Sequence, residues 1–151
     1  FHVLHHLLGR TSELGGETPR FIREGWRRYE ESARAGVTAP AEAVATHQKA
    51  AAASPALKWA LGRTYAVAGR KEEARKIAVE LSKKPTPMDL WGLTEIFAAL
   101  GEKDEAFRWF EEAYKARFSW MPWINSFFRS LDPLRSDPRF QEMVRRMNLP
   151  R

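Results

Sequence analysis

Three histidines open the chain, His2, His5 and His6, and pairs of adjacent glutamates recur along it at Glu30-Glu31, Glu72-Glu73 and Glu111-Glu112. On a helix His2 shares a face with His5 or His6, a spacing that can bring two imidazoles to one zinc ion. No Asp, Glu or Cys lies close enough to complete the ligand set, so no metal is expected. The glutamate pairs suggest carboxylate chemistry, but they fall where charged residues form the solvated face of a helix. A cationic cluster, Arg70, Lys71, Arg75, Lys76, Lys83 and Lys84, could touch phosphate, yet its spacing fits the outer face of one helix. With no cysteine, disulfide and thiolate chemistry are excluded. No glycine-rich phosphate loop and no Ser/His/Asp arrangement occurs. Neither an enzyme nor a cofactor is expected. An enzymatic site, if the chain held one, would fall within residues 1–53.

The remaining chemistry is aromatic. Trp26, Trp59, Trp91 and Trp123 follow one another at steps of 33, 32 and 32 residues. Each of the first three has a glycine ten residues on (Gly36, Gly69, Gly101) and an alanine fifteen on (Ala41, Ala74, Ala106). A fixed period in this range marks a repeat array and moves function from a pocket to a surface made by stacking.

The elements that would carry these residues read as helices throughout. Hydrophobic residues make up 44% of 151 residues and charged residues 29%, a globular balance. No run alternates with the two-residue period of a strand. Phe1–Leu8 reads as a short apolar helix and Arg10–Pro19 as a loop. Phe21, Ile22, Trp26, Tyr29 and Ala33 form a helical stripe that Gly36 ends. Further helices are expected at about Ala41–Ala53, Ala56–Ala68, Lys71–Lys84, Leu90–Leu100, Lys103–Arg117, Trp120–Leu131 and Phe140–Met147. Formal charge is +1 over 1–53, +5 over 54–86, −3 over 87–118 and +3 over 119–151. A continuous basic stripe, the usual footprint of a nucleic-acid binder, is absent. No stretch approaches the roughly 20 apolar residues of a membrane span, and nothing resembles a secretory leader. A cytoplasmic location is expected. The chain begins at Phe, which suggests a fragment or processed product.

Two units align without a gap. Trp59-Ala-Leu61-Gly62-Arg-Thr-Tyr65-Ala66-Val-Ala-Gly69-Arg-Lys71-Glu-Glu73-Ala74 matches Trp91-Gly-Leu93-Thr94-Glu-Ile-Phe97-Ala98-Ala-Leu-Gly101-Glu-Lys103-Asp-Glu105-Ala106. Glycine at the turn permits positive φ, Ala74 and Ala106 admit a close second helix, and Leu61/Tyr65 and Leu93/Phe97 fill the seam. This pattern resembles the tetratricopeptide repeat. The units are 32 rather than 34 residues long, and the late aromatic is Ala78 in one and Phe110 in the other. Leu131–Phe140, followed by Met143, Met147 and Pro150, is similar to the closing segment of many bacterial tetratricopeptide proteins, where the repeats follow a regulatory or signalling domain.

The resemblance implies an all-α fold, a right-handed superhelical array of antiparallel helix pairs. It divides the chain into an N-terminal helix and loop (1–20), a degenerate repeat (21–53), two repeats (55–86 and 87–118) and capping helices (119–151). It further implies a scaffold that binds a protein or peptide in a concave groove lined by first helices. The groove positions are Trp59, Arg63, Trp91, Glu95, Trp123 and Phe127, with Trp26 and Glu30 ahead of them. Aromatic anchors there would suit a peptide, and burial of the rings by a neighbouring unit is the competing reading. Some relatives grip a C-terminal carboxylate with Lys and Asn at the positions of Trp59 and Arg63, or of Trp91 and Glu95; that pair is missing here. The alternative function is a helical repeat that binds nucleic acid through its basic faces.

Overall fold

In the computed structural model residues 40–125 and 128–149 are described, all within one unit, Ala39–Arg151. The helix and loop expected over 1–20, and the degenerate repeat as far as residue 39, lie outside them. Every regular element among the described residues is helical.

α1 spans Pro40–Ala53, and its Ala43 and Val44 are buried. A 3₁₀ turn at Pro55–Leu57 leads into α2, Lys58–Val67. Gly69 ends that helix in the left-handed region at φ 77°, and the Arg70 amide donates to the Tyr65 carbonyl at 2.8 Å. α3, Lys71–Ser82, buries the expected stripe Ala74, Ile77, Ala78 and Leu81.

The same turn recurs 32 residues later. α4, Pro87–Leu100, ends at Gly101, again at φ 77°, with the Glu102 amide donating to the Phe97 carbonyl at 2.9 Å. Both turns satisfy carbonyls that the last helical turn leaves without partners. α5 is Lys103–Lys115 and buries Ala106, Phe107, Trp109, Phe110 and Ala113.

The largest departures from the sequence reading fall at the start of α4 and after Trp120. α4 runs Pro87–Leu100 and so starts three residues before the expected Leu90. Thr86 caps it: the Asp89 amide donates to Thr86 Oγ1 at 3.2 Å, and the Thr86 amide donates to Asp89 Oδ2 at 2.9 Å. Pro87 occupies the first turn, where its missing N–H costs no hydrogen bond. The continuous helix expected at Trp120–Leu131 is not formed. Its place is taken by 3₁₀ turns at Met121–Trp123 and Arg129–Leu131. Pro122 has no amide to offer a helix interior, and Phe128 is extended at ψ 90°. Two short helices follow, α6 (Asp132–Arg135) and α7 (Pro138–Arg146), the latter capped by Asp137.

α4 is the hub. It packs against α2, α3, α5, the 129–131 turn and α6. Two glycines set how closely the helices meet. A Cβ on Gly62 would lie 2.7 Å from Ile96 Cδ1 and 2.8 Å from Ile77 Cγ2, and one on Gly92 would lie 2.3 Å from Trp59 Cβ. No helix among the described residues is long and apolar enough to cross a membrane.

Candidate functional site

The residues expected on a groove face can now be placed on their helices. Trp59 and Trp91 occupy equivalent positions in α2 and α4, and both are interior, at 5% and 0% exposure. Each is packed against residues that come later in the chain. Trp59 meets the backbone of α4 at Gly92. Trp91 is enclosed by Phe110, Phe118, Trp120 and Phe128, with ring centroids 6.3, 5.7, 5.9 and 4.6 Å away. Trp123 is half-buried against the same core. Arg63 is half-buried on α2. Phe127, Trp26 and Glu30 lie outside the described residues.

Glu95 is the polar centre of this region. It sits one turn beyond Trp91 on α4 and is fully buried. Ser130 Oγ donates to its Oε1, while Oε2 has no hydrogen-bond partner. Trp91 Nε1, also buried, has none either. A buried polar atom left without a hydrogen-bond partner costs about 1–3 kcal/mol, and Glu95 Oε2 is such an atom. The cover over it is tied down by Arg135, whose guanidinium donates to the Phe128 carbonyl at 3.2 Å and the Asn125 carbonyl at 3.4 Å.

The glutamates of α3 and α5 are engaged in ion pairs. Glu72 and Glu73 pair with Arg75 and Arg70, Glu111 with Arg146 and Glu112 with Lys115. Arg70 and Arg75 are thereby neutralised within the basic cluster, Arg75 also bonding Glu102 on the neighbouring pair of helices. Lys71, Lys76, Lys83 and Lys84 are exposed. The terminal histidines fall outside the described residues, among which no group of three or more potential metal ligands gathers.

One histidine does acquire a distinctive setting. His47 on α1 meets Thr64 Oγ1 on α2 at 2.8 Å, and the Thr64 hydroxyl also reaches the Ala60 carbonyl at 2.9 Å. If the single hydroxyl proton goes to Ala60, His47 Nδ1 donates to Thr64. Burial, then the charge of Arg63, holds the imidazole below its ordinary 6.5, against a smaller opposing effect from the Ala43 backbone.

Sequence reasoning did not single out Ser130 or Asp89. A Thr-x-x-Asp spacing marks Asp89 as half of a cap. Ser130 carries no local signal, since it meets Glu95 across 35 residues. Comparison with family models, curated proteins and solved structures yields no match.

Proposed function

We propose that the chain is a tetratricopeptide-like array of helix pairs whose function is to bind a protein or peptide, as part of a larger bacterial regulatory or signalling protein. One observation carries this reading: residues 32 apart do the same structural work in α2–α3 and α4–α5. Gly69 and Gly101 share φ 77°. Ala74 and Ala106 are both wholly buried at the helix–helix approach, and Leu61 and Leu93 are both core. α4 touches both helices of the preceding pair, which is how a stacked array spreads its core along one axis. Such arrays leave a long face of first helices for partners. On α2, Val67 is exposed beyond the buried Trp59.

Photo-crosslinking tests this. A benzophenone side chain at Val67 should capture one defined partner from cells of the source organism, and the same group at Val79, on the exposed side of α3, should not. Crosslinks from Val79 alone, or none from either site, would reject the first-helix face as the binding surface. The nucleic-acid reading rests on exposed basic residues such as Lys71, Lys76, Lys83 and Lys84. It requires retardation of mixed-sequence DNA or RNA at low salt.

A further inference from the structure

The carboxylates of the two second helices are all matched within the unit. On α5, Asp104 meets Arg139, Glu105 meets Arg108, Glu111 meets Arg146 and Glu112 meets Lys115. On α3, Glu72 meets Arg75, Glu73 meets Arg70 and Glu80 meets Lys58. Four cations on and just beyond α3 are left over. Lys71, Lys76, Lys83 and Lys84 are exposed and form no ion pair among the described residues. All four are lysines, whereas most of the matched cations are arginines, whose planar fork holds a carboxylate in a fixed geometry.

These lysines frame an apolar side chain. Lys76, Val79 and Lys83 follow one another at i, i+3 and i+7, which sets them along one side of α3. Lys83 keeps the helical backbone, at φ −67° and ψ −38°. The opposite side of the helix buries Ala74, Ile77, Ala78 and Leu81. Val79 is 59% exposed, more than any other large hydrophobic among the described residues. Glu72 and Glu80 border the strip, but residues 54–86 keep a formal charge of +5 with every carboxylate counted. A valine between unmatched lysines fits a surface whose headgroups are anionic and whose interior is apolar. Lysine suits such a surface because its compact charge rides on a flexible stem and needs no fixed partner. A peptide carboxylate or a base edge would instead favour the arginine fork.

We propose that this side of α3 docks on an anionic lipid surface, with Lys76, Lys83 and Lys84 among the headgroups and Val79 entering the boundary. The contact is peripheral, since no helix among the described residues is long and apolar enough to cross a membrane. Each lysine near such a surface contributes about fivefold in affinity, so the three together supply about a hundredfold. That makes a reversible attachment, separate from the partner-binding face of α2.

Co-sedimentation of the full chain with phosphatidylcholine vesicles containing about 30% phosphatidylserine tests this. Binding is expected there, absent with phosphatidylcholine alone, and falling as salt rises. Lys76→Glu combined with Lys83→Glu should weaken it by at least about tenfold. Lys103→Glu combined with Lys115→Glu makes the same change in net charge on α5 and should have little effect. Val79→Ser leaves the charge unaltered and should weaken binding several-fold. Lys76→Gln with Lys83→Gln repeats the test without adding carboxylates to the helix. No binding, equal binding to neutral vesicles, or an equal loss from the α5 pair overturns the proposal. So does a Val79→Ser variant that binds like the unaltered chain. Retardation of mixed-sequence DNA with no binding to vesicles overturns it in favour of the nucleic-acid reading. The partner-binding reading is judged separately by crosslinking at Val67, because a lipid surface offers no protein for the group at Val79 to capture.

Discussion

At the residue scale, backbone conformation and closeness of approach decide which positions tolerate change. A Cβ on Gly69 would meet nothing within 4 Å, so Gly69→Val is costly only through its left-handed φ of 77°. A loss of about 1–2 kcal/mol is expected in urea unfolding. Arg117 adopts φ 52° without glycine's freedom, so Arg117→Gly should be neutral or stabilising by up to about 1 kcal/mol. Gly92→Ala has a different cause. Its Cβ would collide with Trp59 Cβ, so α2 and α4 must separate, at about 1–3 kcal/mol. Trp59→Phe keeps that Cβ and should give no relief; rescue by Trp59→Phe would show that the clash is not the cause. Trp91→Ala opens a cavity among four rings and should cost about 3–5 kcal/mol. An unchanged midpoint would mean that the ring is not held in the core.

At the element scale, helix pairs are joined by polar contacts whose strength follows pH and salt. The folded state holds His47 below its ordinary value of 6.5. The unfolded chain therefore binds the proton more readily. The α1–α2 contact is fully stable above pH 6.5 and weakens as pH falls from there through the lower folded-state value. His47→Gln should flatten this part of a stability–pH curve, and an unchanged curve would assign the dependence to another group. Carboxylates act in a lower window. Asp137, held to about 2 by Arg139, and Glu111, lowered chiefly by Arg146, favour the fold above their ordinary values and lose that contribution as acid protonates them. Glu111 and Arg146 meet through two bonds of 2.8 and 2.9 Å and join α5 to α7. Both are partly exposed, so a double-mutant cycle should give only a weak coupling, falling in high salt. The helices themselves were largely legible. Ala74, Ile77, Ala78 and Leu81 recur with helical period, and glycine marks the ends of α2 and α4. The start of α4 was not, because Thr86 and Asp89 act as a reciprocal pair rather than through apolar periodicity. The segment after Trp120 reads as helix from its rings, but Pro122 and the extended Phe128 divert it.

At the scale of the whole molecule, α4 and the C-terminal segment stabilise one another. Phe118, Phe128, Leu131, Leu134, Phe140, Met143 and Val144 belong to the same core cluster as Trp91 and Phe110. Removing residues 119–151 would bare that cluster. The truncated chain should lose cooperative unfolding and aggregate, since an apolar patch of this size is not tolerated on a soluble surface. A soluble, cooperatively melting truncation would show that the C-terminal segment is not part of the core.

Helical class, the glycine turns and the 32-residue correspondence between α2–α3 and α4–α5 are all legible in the residues alone. These follow from local backbone chemistry and from periodicity along one chain. The sequence also marked Trp59, Trp91 and Glu95 as belonging together on their helix faces. It did not determine whether those faces meet water. That depends on contacts between residues far apart in sequence, Gly92 against Trp59, Phe128 against Trp91, and Ser130 against Glu95. Only the tertiary structure put the tryptophans inside and left a buried carboxylate oxygen beside them without a donor. Helix periodicity specifies direction around an axis, and packing specifies what lies in that direction.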